Sequence, residues 1–445
     1  SHVPQGEMES ANLENNNSAG YGEGFRFGYY GGDLDFVELA RTEEDVIAVS
    51  VLKTQNLSYS AGENTYSSAG DGRVEVGCYH LLIEDGLRDY REAQELADSC
   101  RDGFVAWIDG EYQVRAGSYP TKEDAEDAFD RWDDAVDVVG TSSYGMSVVE
   151  TGTDRILFQY DCGASGALGI QPDVTGCRET RTWFNGMKYR GGFQYHRRSG
   201  NNLTVVNVVE LEDYVNGVIC YEMGREWPLE ALKAQALCAR TYVLQNLDKH
   251  NSYGFDICNS SSCQVYNGMG SNRSGYGPSE TSMRAVDETE GEVILYGGEL
   301  IEVAYSSSFG GASEDANNVW GTDTTHDHPY LCGVEDPYES ALDSQNSHAH
   351  WTVSYTAGEL ASRLHSRGYG VGSSIDYLEL EYSELGNVIE LVVHWTNGQS
   401  SSFYPSLGAG IRGNFGVDSI RFSVNGEAVS PAGRWSRRGG EGQGN

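Results

Sequence analysis

The sequence LEDYVNGVICYEMGREWPLEALKAQALCARTY, residues 211–242, predicts two consecutive helices. In its first half, apolar residues recur at helical spacing and form one face, at Leu211, Val215 and Val218. The same spacing then reaches Glu222, so a carboxyl group lies where the pattern calls for an apolar side chain. The second helix opens at Pro228, a residue suited to a first helical turn.

Glu222 is a candidate general acid. The end of the first helix, where Gly224 is a natural terminator, carries the negative pole of the helix dipole, which disfavours an anion. Partial burial on the apolar face disfavours the anion as well. Both effects favour a carboxyl group that keeps its proton near neutral pH and donates it. The alternative is a side chain that extends into water from a frayed helix end. Glu226 is a second candidate, but it lies in the following loop and off the apolar face.

The composition excludes some classes of function. The chain has 445 residues, 56 of them glycine and 28 tyrosine, which favours a packed protein rich in strands and turns. Its formal net charge is −37, which argues against non-specific nucleic-acid binding and against attraction to an anionic membrane. We attribute this charge to solubility. The sequence has no apolar run long enough for a transmembrane helix and no visible signal peptide.

The pattern along the chain predicts an organisation in five parts. Residues 1–24 are Asn- and Gly-rich and are predicted to be disordered, and residues 25–72 form a linker with one strand-like run. Residues 73–138 have the order β-α-β-β-α. Residues 141–430 alternate strand-like runs with turns around the helix pair, and residues 431–445 form a disordered tail.

The 73–138 segment resembles the SPOR domain, a peptidoglycan-binding module of ferredoxin-like fold. The matching residues are Val76-Gly77, Tyr112-Gln-Val-Arg-Ala-Gly-Ser-Tyr119 and Glu123-Asp-Ala125. An unrelated small ferredoxin-like fold is the alternative, because topology alone does not define function.

A second resemblance is carried by motifs between about residues 145 and 430. Beside residues 211–223 and 227–242 they are Cys263-Gln-Val-Tyr-Asn-Gly268, Ala285-Val-Asp-Glu-Thr-Glu-Gly291, Tyr305-Ser-Ser-Ser-Phe-Gly-Gly311 and Pro329-Tyr-Leu331. In this order they resemble stage II sporulation protein D. The resemblance implies a lytic transglycosylase that acts on glycan strands stripped of stem peptides, with Glu222 as its catalytic acid. The expected fold is α+β: the SPOR-like module, then a mostly β catalytic region with an inserted helix pair.

One carboxyl group is sufficient for this reaction. Glu222 would protonate the oxygen between N-acetylmuramic acid and N-acetylglucosamine, and then take the proton of the muramyl 6-hydroxyl as a 1,6-anhydro ring closes. No water attacks, so the second carboxylate of ordinary glycosidases is not required. The candidate substrate-binding residues are Lys233, Arg240, Gln264, Tyr266, Ser306, Ser307 and Ser308. Arg225 is a further cation that could line a basic groove for the glycan strand together with Lys233 and Arg240.

His250, Cys258 and Cys263 are candidate ligands of a structural zinc ion. Relatives often carry a histidine just before the second cysteine, where this chain has Ser262. A disulfide between Cys258 and Cys263 is the alternative, since an exported protein with nine cysteines would pair most of them. Cys78 with Cys100, and Cys162 with Cys177, are further candidate pairs.

The expected location is outside the cytoplasm, with any membrane attachment through a removed leader or anchor. The expected partners are peptidoglycan glycan strands and other sporulation wall hydrolases. Two alternatives stay open. One is a glycan-binding scaffold without activity of its own, since related proteins are labelled amidase enhancers. The other is a hydrolase that uses the cysteine and histidine cluster.

Overall fold

The computed structural model describes most of the chain, which forms two compact units, Ser1–Val303 and Ala304–Asn445. The described residues are 2–8, 10–15, 24–70, 72–140, 142–173, 182–198, 202–271, 277–321, 328–341, 346–406, 410–425 and 433–435. No helix within these ranges is both long and apolar enough to cross a membrane.

The first unit is mixed α and β, and its described strands are more numerous than its helices. Its strands are β1 His2–Met8, β2 Ser10–Glu14, β3 Phe25–Tyr30, β4 Phe36–Arg41, β5 Ala48–Lys53, β6 Leu57–Ser60, β7 Thr65–Ser68, β8 Tyr79–Leu87, β9 Gly103–Ile108, β10 Glu111–Tyr119, β11 Asp137–Val139, β12 Met146–Glu150, β13 Ile156–Asp161, β14 Ala167–Pro172, β15 Thr182–Phe184, β16 Met187–Tyr189, β17 Gly192–Arg197, β18 Leu203–Val208, β19 Leu295–Tyr296 and β20 Glu299–Leu300. Its helices are α1 Tyr90–Ser99, α2 Lys122–Phe129, α3 Leu211–Glu222, α4 Leu229–Gln245 and α5 Glu280–Asp287.

Two large sheets hold most of these strands. Among the described residues one sheet has the order β1-β18-β17-β14-β3-β4, and the other has the order β11-β8-β10-β9-β13-β12-β5-β2-β15-β16. Neighbours pair antiparallel except β13 and β9, which are parallel, with Phe158 opposite Val105. A continuous apolar core joins both sheets to the inner faces of α3, α4 and α5. The helix pair is therefore fixed to the sheets through buried side chains.

The predicted order β-α-β-β-α is present in the SPOR-like segment, as β8, α1, β9, β10 and α2. The Thr121 hydroxyl caps α2 by accepting the N–H of Asp124. The segment shares its sheet with β13, and Val105 and Val114 belong to the same core as α3. It is therefore part of the larger unit in this chain, and the structure leaves the resemblance to a peptidoglycan-binding module as a prediction.

The prediction of disorder for residues 1–24 is wrong where the structure describes them. Residues 2–8 form β1, and residues 10–14 form β2, which pairs with β5. Ala11 and Leu13 alternate into the core, which is the period of a half-buried strand. Residues 25–72 likewise carry β3 to β7 and take part in both sheets.

The second unit holds a smaller sheet with its own core. Its described elements are α6 Ala316–Trp320, α7 Ala357–Ser366, β21 Ile375–Tyr382, β22 Val388–Trp395, β23 Ser400–Phe403, α8 Gly410–Phe415 and β24 Gly433–Trp435, and the strand order is β23-β22-β21-β24. A capping box begins α7, because Thr356 and Glu359 exchange side-chain and backbone hydrogen bonds. Leu364, Val393 and Trp395 lie in a core separate from that of the first unit.

Candidate functional site

Glu222 is the last residue of α3 and is half-buried. The helix ends because Met223 takes up an extended conformation after donating its N–H to the carbonyl of Ile219. The preceding residues from Tyr214 to Ile219 are all buried, so the helix body is fixed and its last side chain lies at the boundary of the core. The predicted position of Glu222 on the apolar face at the end of the helix is thus what the structure shows.

The backbone of a neighbouring loop holds the Glu222 carboxyl group. The N–H of Val265 donates a hydrogen bond to Oε1 of Glu222, with 2.7 Å between nitrogen and oxygen. A single backbone donor orients a carboxyl group through one oxygen. The contact holds the carboxyl group in one position, as is needed for a group that exchanges a proton with a substrate.

The two side chains that flank Val265 are buried rather than presented to solvent. Gln264 is 0% exposed and accepts a hydrogen bond from the hydroxyl of Tyr214 at 3.2 Å. Tyr266 is 1% exposed and donates its hydroxyl hydrogen to Oδ1 of Asn207 at 2.7 Å. Both were predicted to bind substrate. Their burial gives them a positioning role instead: they fix the loop that carries the Val265 N–H.

Two glycines allow aromatic rings to approach α3 and its end. A Cβ atom on Gly217 would lie 2.5 Å from the ring of Tyr266, so only glycine lets that ring pack on α3. A Cβ atom on Gly224 would lie 2.3 Å from Nε1 of Trp227. Gly224 therefore accommodates the indole ring, and it does not take the left-handed conformation usual for a helix terminator. Trp227 itself is 52% exposed beside the end of α3.

Arg240 forms a buried ion pair inside the unit. Its side chain is fully buried, its Nε and Nη2 donate to the two carboxylate oxygens of Glu212 at 2.8 and 2.6 Å, and its Nη1 donates to the carbonyl of Glu292 at 3.0 Å. This bidentate arrangement joins α4 to the start of α3. The predicted substrate cation is thus already neutralised and anchors the helix that carries Glu222.

Lys233 lies on the outer face of α4, between two acidic side chains. Its Nζ is 3.1 Å from a carboxylate oxygen of Glu230 and 2.5 Å from one of Glu288. The carboxylates of Glu288 and Glu230 raise the pKa of Lys233. An anionic substrate group would have to compete with two carboxylates for this ammonium group.

Arg225 and Glu226 occupy the turn between α3 and α4. Arg225 donates through Nη1 to the carbonyl of Gly277 at 3.3 Å, and its Nε lies 3.6 Å from the carboxylate of Glu226. Glu226 is exposed. Its position in water, off the helix, agrees with its lower rank as a proton donor.

The structure brings the three predicted zinc ligands together. The side-chain ligand atoms of His250, Cys258 and Cys263 all lie within 4.8 Å of one another, with His250 Nε2 at 3.3 Å from Cys263 Sγ. Ligands of one tetrahedral zinc ion lie roughly 3.3–3.8 Å apart, from the usual Zn–S and Zn–N lengths. The His250–Cys263 distance lies in this range, and two sulfurs with one imidazole are a donor set that zinc binds.

The cysteines are free thiols among the described residues. The predicted pairs Cys258–Cys263 and Cys78–Cys100 are therefore absent from this structure, and Cys177 lies outside the described residues. Burial opposes ionisation of Cys258, but hydrogen bonds from Ser260 and Cys263 together lower the pKa of its thiol. A thiolate is the form of cysteine that binds zinc.

Ser306, Ser307 and Ser308 belong to the second unit. They precede Phe309-Gly-Gly311, and this turn encloses the carboxylate of Glu339, to which Ser308 donates its hydroxyl hydrogen. Ser306 and Ser308 also line a cavity of about 450 Å³. Ser306 and Ser308 thus lie in a polar loop beside a cavity, and the binding of a sugar by the three serines stays a prediction.

Sequence reasoning missed Glu212, Glu339 and the N–H of Val265. Glu212 lies in the first turn of a helix that the sequence already predicts. Arg240, at a core position on the next helix, is the signal that a buried acid is needed. Glu339 and the Val265 N–H have no comparable signal. One is a single acid among many, and the other is a backbone group that every residue except proline carries.

Comparisons with known proteins agree with the resemblance of the helix-pair region. Residues 199–296 match the family model described as SpoIID, Stage II sporulation protein. Stage II sporulation protein D of Bacillus subtilis strain 168 is 31% identical over 172 residues, which is 37% of this chain and 48% of that protein. The amidase enhancer of the same strain is 34% identical over 149 residues, 34% of this chain and 18% of that protein. An uncharacterized protein of Brachyspira hyodysenteriae is 39% identical over 159 residues, 35% of this chain and 40% of that protein.

The fold and the site define an α+β protein with a carboxyl group at the end of a buried helix, oriented by a loop amide. The matched residues 199–296 contain α3, α4, the Val265 loop and the cysteine and histidine cluster. Over this region the chain is similar to the SpoIID family. It spans less than half the length of each of the three relatives described above.

Proposed function

We propose that the chain is a lytic transglycosylase that cleaves peptidoglycan glycan strands during sporulation or wall remodelling. The observation that carries the proposal is the Glu222 carboxyl group, half-buried at the end of α3 and oriented by the N–H of Val265. The family name supports a role in sporulation.

In the proposed mechanism Glu222 is both acid and base. Its carboxyl group gives a proton to the oxygen between N-acetylmuramic acid and N-acetylglucosamine, and the bond from that oxygen to the muramyl C1 breaks. Positive charge then develops at C1, assisted by the acetamido group of the same sugar. The carboxylate of Glu222 takes the proton of the 6-hydroxyl, whose oxygen bonds to C1 and closes the 1,6-anhydro ring. The proton count balances without water.

The other parts of the chain support this activity in different ways. Trp227, exposed near Glu222, offers an aromatic face to a sugar ring. The SPOR-like segment would bring the enzyme to bare glycan. His250, Cys258 and Cys263 would hold a structural zinc ion that ties the end of α4 to the loop before Val265. The proposed location is outside the cytoplasm, where the substrate is.

The test is product analysis by mass spectrometry after digestion of denuded glycan strands. We expect 1,6-anhydro-muramyl ends with the wild type, and a rate lower by about 10²- to 10⁴-fold with Glu222→Gln, the usual range for general acid–base catalysis. Glutamine keeps the acceptor for the Val265 N–H. Glu226→Gln is the matched control, since it removes an exposed carboxylate four residues away, and it should retain activity.

Two further measurements distinguish the transglycosylase from a hydrolase and from a glycan-binding scaffold. Activity that survives a zinc chelator excludes catalysis by the cysteine and histidine cluster, whereas loss of activity with ordinary reducing ends would support that hydrolase. The amidase enhancer relative favours a second candidate, a glycan-binding scaffold. It predicts no anhydro ends with any variant and a faster wall amidase when the chain is added.

A further inference from the structure

The loop from Ser308 to Gly311 forms an anion-binding cup from backbone amides. The N–H of Phe309 donates to both carboxylate oxygens of Glu339, at 3.1 and 3.2 Å, and the N–H of Gly311 donates to Oε2 at 2.8 Å. Gly310 and Gly311 have φ angles of 71° and 101°, which glycine adopts without steric cost. These angles direct successive backbone amides to one side of the loop. A carboxylate from another part of the same unit therefore fills the cup.

No arginine or lysine among the described residues lies within ion-pair distance of Glu339. Burial opposes its ionisation, but the hydroxyl of Ser308 and the amides of Gly311, Gly310 and Phe309 together hold its pKa below the usual range. The loop thus binds a carboxylate by itself, without a cation. Such a site is specific for an acceptor with two oxygens.

The cavity of about 450 Å³ adjoins this cup and shares Ser308 and Phe309 with it. Tyr305, Phe309 and Trp320 line the cavity, and the Trp320 side chain is 43% exposed. Aromatic rings with polar groups between them are the usual lining of a site for a ring with one apolar face. Glu314 lies at the cavity wall, where Ser383, Asn318 and Asn387 donate to its carboxylate.

We propose that this cup and cavity form a binding site for a sugar acid, with the sugar ring in the cavity and its carboxylate in place of Glu339. Glu339 then occupies the cup until a ligand displaces it. The identity of the sugar acid rests on the proposed function: muramic acid carries a lactyl carboxylate, whereas N-acetylglucosamine carries none.

The charges of the chain favour a site of this kind for the proposed substrate. The net charge is −37, and the predicted substrate cations Lys233, Arg240 and Arg225 each lie within ion-pair distance of an acidic side chain. Backbone amides are neutral, so they recognise a carboxylate without adding a cation that these acids would capture.

The test compares two sugars on the wild type and on Glu339→Gln by isothermal titration calorimetry. Removing the internal carboxylate should tighten binding of N-acetylmuramic acid by about tenfold and leave binding of N-acetylglucosamine unchanged, because only the first places a charge in the cup. Glu335→Gln is the matched control, since it removes an exposed carboxylate from the same segment. Its affinities should equal those of the wild type.

A second measurement observes the Phe309 amide of the cup in the wild type. Its result therefore does not depend on whether Glu339→Gln folds. In protein labelled with ¹⁵N-phenylalanine, the Phe309 amide is assigned through Phe309→Tyr. In the wild type it should shift on addition of N-acetylmuramic acid and not of N-acetylglucosamine. An unmoved Phe309 amide at saturation, or an equal gain in affinity for both sugars with Glu339→Gln, would overturn the proposal.

These binding experiments are made in the Glu222→Gln background as well. Binding needs no cleavage, so failure of the transglycosylase proposal leaves the affinities unaffected. Failure of the sugar-acid site would appear as unchanged affinities while anhydro products still form with the parent chain.

Discussion

Glu222 in the first unit and Glu339 in the second are both carboxyl groups held by loop amides, but they are held differently. Glu222 receives the N–H of Val265 on one oxygen. Glu339 receives a serine hydroxyl and several amides on both oxygens. One donor fixes the position of a carboxyl group, whereas several donors on both oxygens form a site that recognises an anion. The first arrangement suits a proton donor and the second suits anion recognition.

The charges around Glu222 and Glu339 differ as well. The helix that carries Glu222 is anchored by the buried pair of Arg240 and Glu212, so charge in that region is balanced by a cation. The Glu339 cup depends on backbone dipoles. The helix-pair region should therefore be sensitive to the loss of one charged side chain, and the cup should be sensitive to protonation of its carboxylate.

The largest expected effect on stability comes from Arg240→Leu. Removing the guanidinium leaves Glu212 without its partner at the start of α3, and breaking a buried ion pair of this kind costs about 3–5 kcal/mol. We expect a loss of this size in the free energy of unfolding, measured by urea denaturation followed by circular dichroism.

The double variant Arg240→Leu with Glu212→Leu should recover most of that loss, because no unpaired charge then remains. Arg284→Ala removes an exposed partner of Glu288 and is the control, with an expected change under about 1 kcal/mol. Equal effects of Arg240→Leu and Arg284→Ala would show that the buried pair does not anchor α3.

The pH dependence of stability separates the two units. Burial lowers the pKa of His80 in the first unit to about 4, where its ring contacts the Gly117 carbonyl and Gln159. Its usual pKa is 6.5, so between these values the unfolded chain binds more protons than the folded chain. Stability should therefore fall as pH drops from about 6.5 to 4, by up to about 3 kcal/mol for this group. Burial lowers the pKa of His196 to about 4 as well, with the same sign.

Glu314 and Glu339 in the second unit also lose stability as pH falls, but they do so at lower pH than His80. Despite burial, hydrogen bonds lower the pKa of both carboxyl groups. Their contribution is complete above about pH 4.5 and is lost only as pH falls through the lower folded value. Urea denaturation at pH 7 and pH 4.5 should show a smaller pH difference for His80→Gln than for the wild type. His348→Gln, at an exposed histidine, should not alter it. An unchanged difference for His80→Gln would contradict the assignment.

Local patterns predicted the elements of the site, whereas tertiary contacts decided the roles of the side chains. The helix pair and the position of Glu222 follow from apolar spacing within 12 residues of α3. Gln264 and Tyr266 have the side chains of a sugar site, yet they are buried and support the Val265 amide, because their partners Tyr214 and Asn207 come from distant segments. Residue type alone does not show whether an amide side chain is buried in the core or exposed to a ligand.

The same limit explains the strand at residues 10–14. Its alternation is only five residues long within an Asn- and Gly-rich segment, and its partner β5 begins 38 residues later. Sheet pairing over such a distance has no local signal. The cysteine and histidine cluster was predictable because its members lie within fourteen residues of one another.

Lys233 gives the smallest expected effect and sharpens the contrast with Arg240. Both are cations on α4, seven residues apart, but Lys233 pairs with Glu230 and Glu288 at the surface, and exposed pairs contribute about 0–1 kcal/mol. Lys233→Met keeps much of the side-chain length and should lower the free energy of unfolding by less than about 1 kcal/mol. If the two carboxylates hold the ammonium group, the KM for denuded glycan should change less than twofold. A several-fold rise in KM at unchanged stability would show instead that glycan displaces these carboxylates, and would restore Lys233 as a substrate-binding residue.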